Sequence, residues 1–159
     1  MNIEIICIGD IKEKYLADAI KEYSKRIGAY ARLDIIELKE ERLPNNPSKK
    51  DIELAISAEG GAIINKLGPR SYKIALCIEG KQLDSLDFAK KIEDITLDSY
   101  SDICFIIGGS DGLSPEVKSL ADYKLSFSKM TFPHQLMRLI LVEQVYRGFK
   151  ILKGEPYHK

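Results

Sequence analysis

The sequence predicts an α/β fold, a mostly parallel sheet with helices on both faces, and three observations lead there. Short apolar runs alternate along the chain with longer segments of helical spacing, the order expected of βαβ units. The apolar runs are continuous rather than alternating, as happens when both faces of a sheet are covered. The runs also lead into loops of small and polar residues, and in such folds ligands bind beyond the carboxyl ends of the strands. A length of 159 residues suits one domain with a single core, residues 1–159.

Each element has its own signal. The first strand is Ile3–Ile8, inside MNIEIICIGD. Tyr15, Leu16, Ala19, Ile20, Tyr23 and Ile27 then form one amphipathic face. Leu33–Leu38 is the second strand. KEERLPNNPSKKD, Lys39–Asp51, is the one long polar connection, and its prolines and asparagines mark it as a surface loop. Ile52, Ala55, Ile56, Ile63 and Leu67 make a second helical face, interrupted by Gly60 and Gly61. Lys73–Ile78 is the third strand, followed by the loop EGKQLDS (Glu79–Ser85), and Leu86 to Leu97 form the third helix. Ile103–Ile107 is the fourth strand, followed by GGSDG (Gly108–Gly112). Ser114 as N-cap and Pro115 at the first helical position open a short fourth helix. A weaker strand lies near Tyr123–Phe127, and SKMTFPHQ (Ser128–Gln135) leads into the last helix. Pro133 starts that helix, which puts Phe132 or Thr131 at the cap and His134 and Gln135 in the first turn.

Composition narrows the function classes. Lysine plus arginine and aspartate plus glutamate balance at 24 each, so the chain does not coat nucleic acid by net charge. No apolar run reaches membrane-spanning length and the N-terminus does not read as a signal peptide, so a cytoplasmic protein without a membrane partner is expected. Cys7, Cys77 and Cys104 each sit inside an apolar run without metal-ligand spacing. They read as buried, reduced thiols, and no metal is expected.

The three loops after the third, fourth and fifth strands are the candidate site. GGSDG lacks the Lys-Ser/Thr of a P-loop and does not open a helix after the first strand as a dinucleotide fingerprint would. It reads either as a tight strand-to-helix turn or as a ring of backbone N–H donors for a ligand. His134 either contributes chemistry or merely packs in the first turn. The last helix is polar at His134, Gln135 and Arg138 and again at Glu143, Arg147 and Lys150, on nearly opposite sides, so its apolar face changes side halfway. That pattern favours packing on its own sheet and on a second subunit over full burial in a monomer. The tail GEPYHK is either a frayed end or a source of stacking and hydrogen-bonding groups in Tyr157 and His158.

IGGxxG (Ile107–Gly112), LSFSKMTFPHQLMR (Leu125–Arg138), EQVYR (Glu143–Arg147) and the closing YHK together resemble the ribosomal RNA large subunit methyltransferase H family of the SPOUT class. The resemblance covers essentially the whole chain, including IGDIKEKY and EYSKRI near the start. It implies a trefoil-knotted C-terminal half, which periodicity cannot reveal. It also implies a homodimer that binds S-adenosyl-L-methionine in the knotted loops and methylates N3 of a pseudouridine in large-subunit ribosomal RNA. Carried over by motif, cofactor contacts fall at Leu76, Gly108, Phe127, Ser128, Lys129, Met130, Thr131 and Phe132.

Methyl transfer to N3 requires loss of the imide proton, which a positioned base or a nearby cation assists. The candidates are His134, Arg138, Tyr157, His158 and Lys159, with the tail of one subunit expected to complete the pocket of the other. A small neutral enzyme has little surface with which to grip naked RNA, so the assembled ribosome is the expected substrate. Two other readings stand beside this one: a SPOUT-like methyltransferase for another RNA, and a non-enzymatic α/β ligand-binding module.

Overall fold

A computed structural model describes residues 1–159. Strands β1 (Asn2–Ile8), β2 (Arg32–Leu38), β3 (Tyr72–Gln82), β4 (Asp102–Ile107) and β5 (Tyr123–Ser126) alternate strictly with helices α1 (Lys14–Ile27), α2 (Lys49–Ile64), α3 (Ser85–Leu97), α4 (Pro115–Leu120) and α5 (His134–Leu152). The sheet runs in the order β2-β1-β4-β3-β5, and every pairing is parallel. Side chains alternate between two cores. Ile3, Ile5 and Cys7 of β1 and Ile103, Phe105 and Ile107 of β4 face α1, α3 and α5. Ile6, Ile8, Cys104 and Ile106 face the other way, toward Ile63 of α2 and Val117 of α4. Both faces are therefore covered, which is why the strands read as continuous apolar runs.

The structure moves several boundaries. The polar connection is shorter than expected, because α2 begins at Lys49: the Ser48 side chain accepts from the Asp51 N–H while the Asp51 carboxylate accepts from the Ser48 N–H, a capping box. Strand β3 does not stop at Ile78 but continues to Gln82. A bulge lets Leu125 pair with both Leu76 and Lys81, so the segment after Leu76 passes closely over β5. Gly80 makes this crossing possible, since a Cβ there would lie 2.6–2.8 Å from backbone atoms of Leu125 and Lys124. The cap of α5 is Pro133 itself, without a side-chain hydrogen bond, rather than Phe132 or Thr131. Cys7 and Cys104 are buried, and burial pushes their thiols up to about 11 and about 12. Cys77 differs from the expectation: it is only half-buried, because it lies where β3 leaves the core.

Helix α5 explains its own pattern. Its two polar groups do not face open water but meet two different parts of the chain. The first group docks on the turn after β1. Gln135 Oε1 accepts the Lys12 N–H at 3.1 Å, Arg138 Nη2 donates to the Gly9 carbonyl at 2.8 Å, and the His134 ring lies against Gly9. Gly9 itself has φ +84°, a turn that favours glycine. The second group docks the tail. Glu143 Oε1 accepts from the Tyr157 hydroxyl at 3.0 Å, Arg147 pairs with Glu143 at 2.6 Å, and Lys150 pairs with Glu155 at 2.5 Å. The tail is thus packed rather than frayed, and Tyr157 meets Tyr146 edge-on with ring centroids 4.9 Å apart. Between the polar groups, Leu141, Val142, Val145 and Phe149 enter the core, while Leu136, Met137, Leu139 and Ile140 stay partly exposed.

Two glycine substitutions separate crossing from helix propensity. Gly80→Ala is expected to destabilise by about 2–4 kcal/mol, because backbone must move to admit the methyl group. Gly61→Ala is expected to stabilise by about 0.5–1 kcal/mol, because the site is helical and a Cβ there meets nothing within 4 Å. Urea unfolding at fixed protein concentration checks both.

Candidate active site

The parallel sheet brings the carboxyl ends of β3, β4 and β5 side by side, and their loops enclose one cavity of about 820 Å³. One wall is Leu76 to Glu79 where β3 leaves the sheet; another is the glycine loop from Gly108 to Leu113. The third is Leu125 to Ser128 with Met130 to His134, and Ile107, Lys118 and Met137 complete the lining. The lining is mixed: Leu76, Ile107, Leu113, Leu125 and Phe127 supply apolar surface, and the loops supply backbone donors and short hydroxyl side chains. A glycine is required at 108, where a Cβ would fall 2.6–2.7 Å from the Gly112 carbonyl group. The close turn leaves the loop backbone facing the cavity.

Local hydrogen bonds hold the third wall. Ser126 Oγ donates to the Ser128 carbonyl at 3.0 Å, and Ser128 Oγ accepts the Met130 N–H at 3.0 Å. Met130 stands 73% exposed at the rim. Lys118 of α4 pairs with Glu79 at 2.5 Å across the mouth, and this hydrogen bond holds the Glu79 carboxyl below its usual range. Cys77 lies beside them, its thiol pushed up chiefly by burial and secondarily by the Glu79 charge.

The residues singled out from sequence divide into three groups. Leu76, Gly108, Phe127, Ser128, Met130, Thr131 and Phe132 all line the cavity, whereas Lys129 is exposed and does not. Among His134, Arg138, Tyr157, His158 and Lys159, only His134 lines it. Arg138 sits one turn further along α5 and is 1% exposed. It donates to Glu37 at 2.9 Å and to the Gly9 carbonyl, leaving Nε without a partner. Tyr157 packs beside Glu143, about 14 Å along the helix axis from His134 at 1.5 Å per residue. Its hydroxyl is pushed well above the ordinary tyrosine range by burial and by its bonds to Tyr23 and Glu143. His158 Nδ1 lies 3.5 Å from Arg147 Nη1, and His158 and Lys159 are exposed. Within one chain, the tail and the cavity are therefore separate.

Sequence reasoning missed Cys77, Lys118, Leu113 and Met137 as cavity residues, whereas Glu79, the first residue of the loop EGKQLDS, does line the cavity. Leu113 and Lys118 belong to the α4 region, whose approach to the end of β3 no local pattern announces. Glu143 and Arg147 were visible as a polar pair on α5, but their role as the seat of the tail required knowing where Tyr157 goes.

A family described as predicted SPOUT methyltransferases matches residues 1–158. Proteins named ribosomal RNA large subunit methyltransferase H from Clostridium beijerinckii and Streptococcus thermophilus are 55% and 54% identical, each over 159 residues and 100% of both chains. The protein of that name from Clostridioides difficile is 54% identical over the same span. Among solved structures, a probable methylase family protein from Haemophilus influenzae superposes with a TM-score of 0.54 at 13% identity, covering 99% of this chain and 70% of that one, a likeness of fold alone. A glycine loop after β4 and a polar-aromatic loop after β5, facing each other across the end of β3 on a chain matched from end to end, place this protein in the ribosomal RNA large subunit methyltransferase H family of the SPOUT class.

Proposed function

We propose that the protein methylates N3 of a pseudouridine in large-subunit ribosomal RNA, using S-adenosyl-L-methionine, as a cytoplasmic homodimer acting on the assembled ribosome. The observation that carries this reading is the cavity built jointly by the three strand-end loops in a chain of this family. Residues 1–159 then form one α/β-knot domain. The passage of β3 over β5 at Gly80 and Leu125 supports the knot, because a threaded loop needs such a backbone-to-backbone crossing. No helix is long and apolar enough to cross a membrane, and no cluster of potential metal ligands is present.

The cavity residues fit the cofactor. About 820 Å³ accommodates a nucleoside with an amino-acid arm, and apolar walls flanked by a few fixed polar groups suit an adenine ring beside charged ends. When bound, S-adenosylmethionine supplies a methyl group on a sulfonium centre. Leu76, Leu125 and Phe127 would bury the apolar part. The backbone of Gly108 to Gly112 and of Ser128 to Phe132 would fix the polar part, and Lys129 at the rim would contact ligand only at its outer edge.

The remaining roles follow from position. His134, in the cavity wall and braced by Gly9, is the titratable side chain of α5 placed to meet the acceptor base or its proton. Arg138 acts as a positioning residue behind it, holding α5 to the end of β1. Tyr157, His158 and Lys159 would reach the cavity of a second subunit, with Glu143 and Arg147 setting the direction in which the tail leaves. The partly exposed stretch Leu136, Met137, Leu139 and Ile140 supports the dimer, since apolar residues on the cavity-forming helix call for a partner surface.

The decisive experiment incubates the protein with methyl-labelled S-adenosylmethionine and intact ribosomes from cells lacking its gene, and locates the label by mass spectrometry. Label on one pseudouridine of the large-subunit RNA is expected, with protein-free ribosomal RNA a much poorer substrate. Label on another RNA would support the alternative methyltransferase, and no cofactor binding would support a non-enzymatic module. Truncation after Gly154 is expected to cut methylation by about 10²-fold or more while cofactor binding persists. A mixed dimer of one truncated subunit and one subunit with a blocked cavity should retain one working site if the tail acts across the interface.

A further inference from the structure

Glu59 is a buried carboxylate for which the functional reading has no use. It is 8% exposed, on α2, and forms no salt bridge, although Lys12, Lys39 and Arg42 line the same charged cavity. Burial first, and then the acidic neighbours Glu40, Glu41 and Asp111, push its carboxyl above the usual range. Burying a carboxylate beside like charges is costly, and hydrogen bonding offsets that cost only in part. Two contacts define its position. Oε1 accepts the backbone N–H of Glu41 at 3.0 Å. Oε2 lies against the glycine loop, 3.4 Å from where a Cβ on Gly109 would stand. The glycine loop is hydrogen-bonded to the same connection separately, from Ser110 Oγ to Glu40 Oε1 at 3.2 Å.

The neighbouring Gly60 explains how Glu59 gets there. A Cβ on Gly60 would fall 2.3 Å from Ser114 Oγ, the side chain that caps α4 by accepting the Val117 N–H. Only a glycine lets α2 approach this close, and the approach carries Glu59 under the loop between β4 and α4. The Glu-Gly step in the middle of α2, which reads in sequence as an interruption of a helical face, is therefore the point where α2 meets the cofactor-side loop. The same loop also separates the cavity from a second, charged cavity of about 630 Å³ at the ends of β1 and β2, which shares Ser110 and Asp111 with it.

We infer that Glu59, seated by Gly60, is a positioning residue for the methyl-donor site: it ties the connection after β2 to the back of the glycine loop and so sets that loop's geometry for the cofactor. The inference rests on the cofactor reading above. Its mechanism is pre-organisation. A glycine-rich loop has many backbone conformations, and ordering it before the ligand arrives removes that cost from binding. Glu59 touches neither the acceptor base nor the reacting atoms, so its loss should appear in cofactor affinity rather than in the chemical step.

The test uses the full-length protein with S-adenosylmethionine as the calorimetric probe, together with hydrogen exchange in the free protein. Glu59→Ala is expected to raise the cofactor Kd about tenfold while leaving kcat on ribosomes at saturating cofactor within about twofold. Glu59→Gln keeps an oxygen to accept the Glu41 N–H and should stay within about twofold of the parent in both quantities. Exchange should quicken together in residues 39–48 and 108–113 of Glu59→Ala, since one strut serves both. Gly60→Ala should produce the same affinity loss without altering the carboxylate, and Glu40→Ala, at a half-exposed position, should produce part of it. If Glu59→Ala fails to fold, these two variants decide the matter. Unchanged Kd and unchanged exchange in the folded variants would overturn the inference. If the parent protein itself does not bind the cofactor, the methyl-donor reading falls, and the exchange result still decides whether Glu59 is the strut.

Discussion

Arg138 is the interaction on which the site's geometry depends. A guanidinium 1% exposed is costly to bury, and here it is compensated by the Gly9 carbonyl and by Glu37, with Nε left unpaired. Glu37 remains 46% exposed, so its own desolvation is modest and the pair is not a fully dry one. What the burial secures is position. Arg138 lies one helical turn beyond His134, and both meet the turn after β1. The start of α5 is thereby pinned to a central strand of the sheet. The loop from Phe127 to Pro133 is anchored at one end by β5 and at the other by this clamp, and so has little freedom left.

The clamp also explains why a short chain can present so polar a loop beside so apolar a helix. Helix α5 satisfies its polar residues in two batches on opposite sides, first on the β1 turn and then on the tail, and gives the faces between them to the core. A helix used on every side cannot slide or rotate without breaking several unlike contacts together. Rigidity of that kind suits a site whose task is to align a donor with an acceptor, where small displacements are costly in rate.

Around the cavity, glycine is used where segments approach too closely for a side chain. Gly80 lets β3 pass over β5, Gly108 closes the loop on itself, and Gly60 lets α2 reach the cap of α4. These contacts surround one cavity from three directions. The polar residues beside them, Glu79 with Lys118 and Glu59 with the Glu41 N–H, tie the same walls to the helices of the α2 and α4 layer. The site is thus held from both layers of the sandwich rather than from the sheet alone.

Composition and periodicity determined the alternation of strands and helices, the parallel character of the sheet and the three loops at its carboxyl edge, because burial on both faces leaves an uninterrupted apolar record in each strand. The family resemblance carried by LSFSKMTFPHQLMR and the glycine loop implied the cavity walls at Leu76, Gly108, Phe127, Ser128 and Met130 to Phe132, in the same loops that the general rule for strand ends picks out. Tertiary structure decided what local pattern does not encode. The strand order, the extension of β3 to Gln82 and the crossing at Gly80 depend on contacts between segments far apart in the chain. So do the burial of Arg138, the seating of Tyr157 on Glu143 and the entry of Lys118 and Glu59 into the site's surroundings. A charged or glycine residue looks the same in sequence whether it faces water or a distant backbone, and only the fold supplies the partner that tells the two apart.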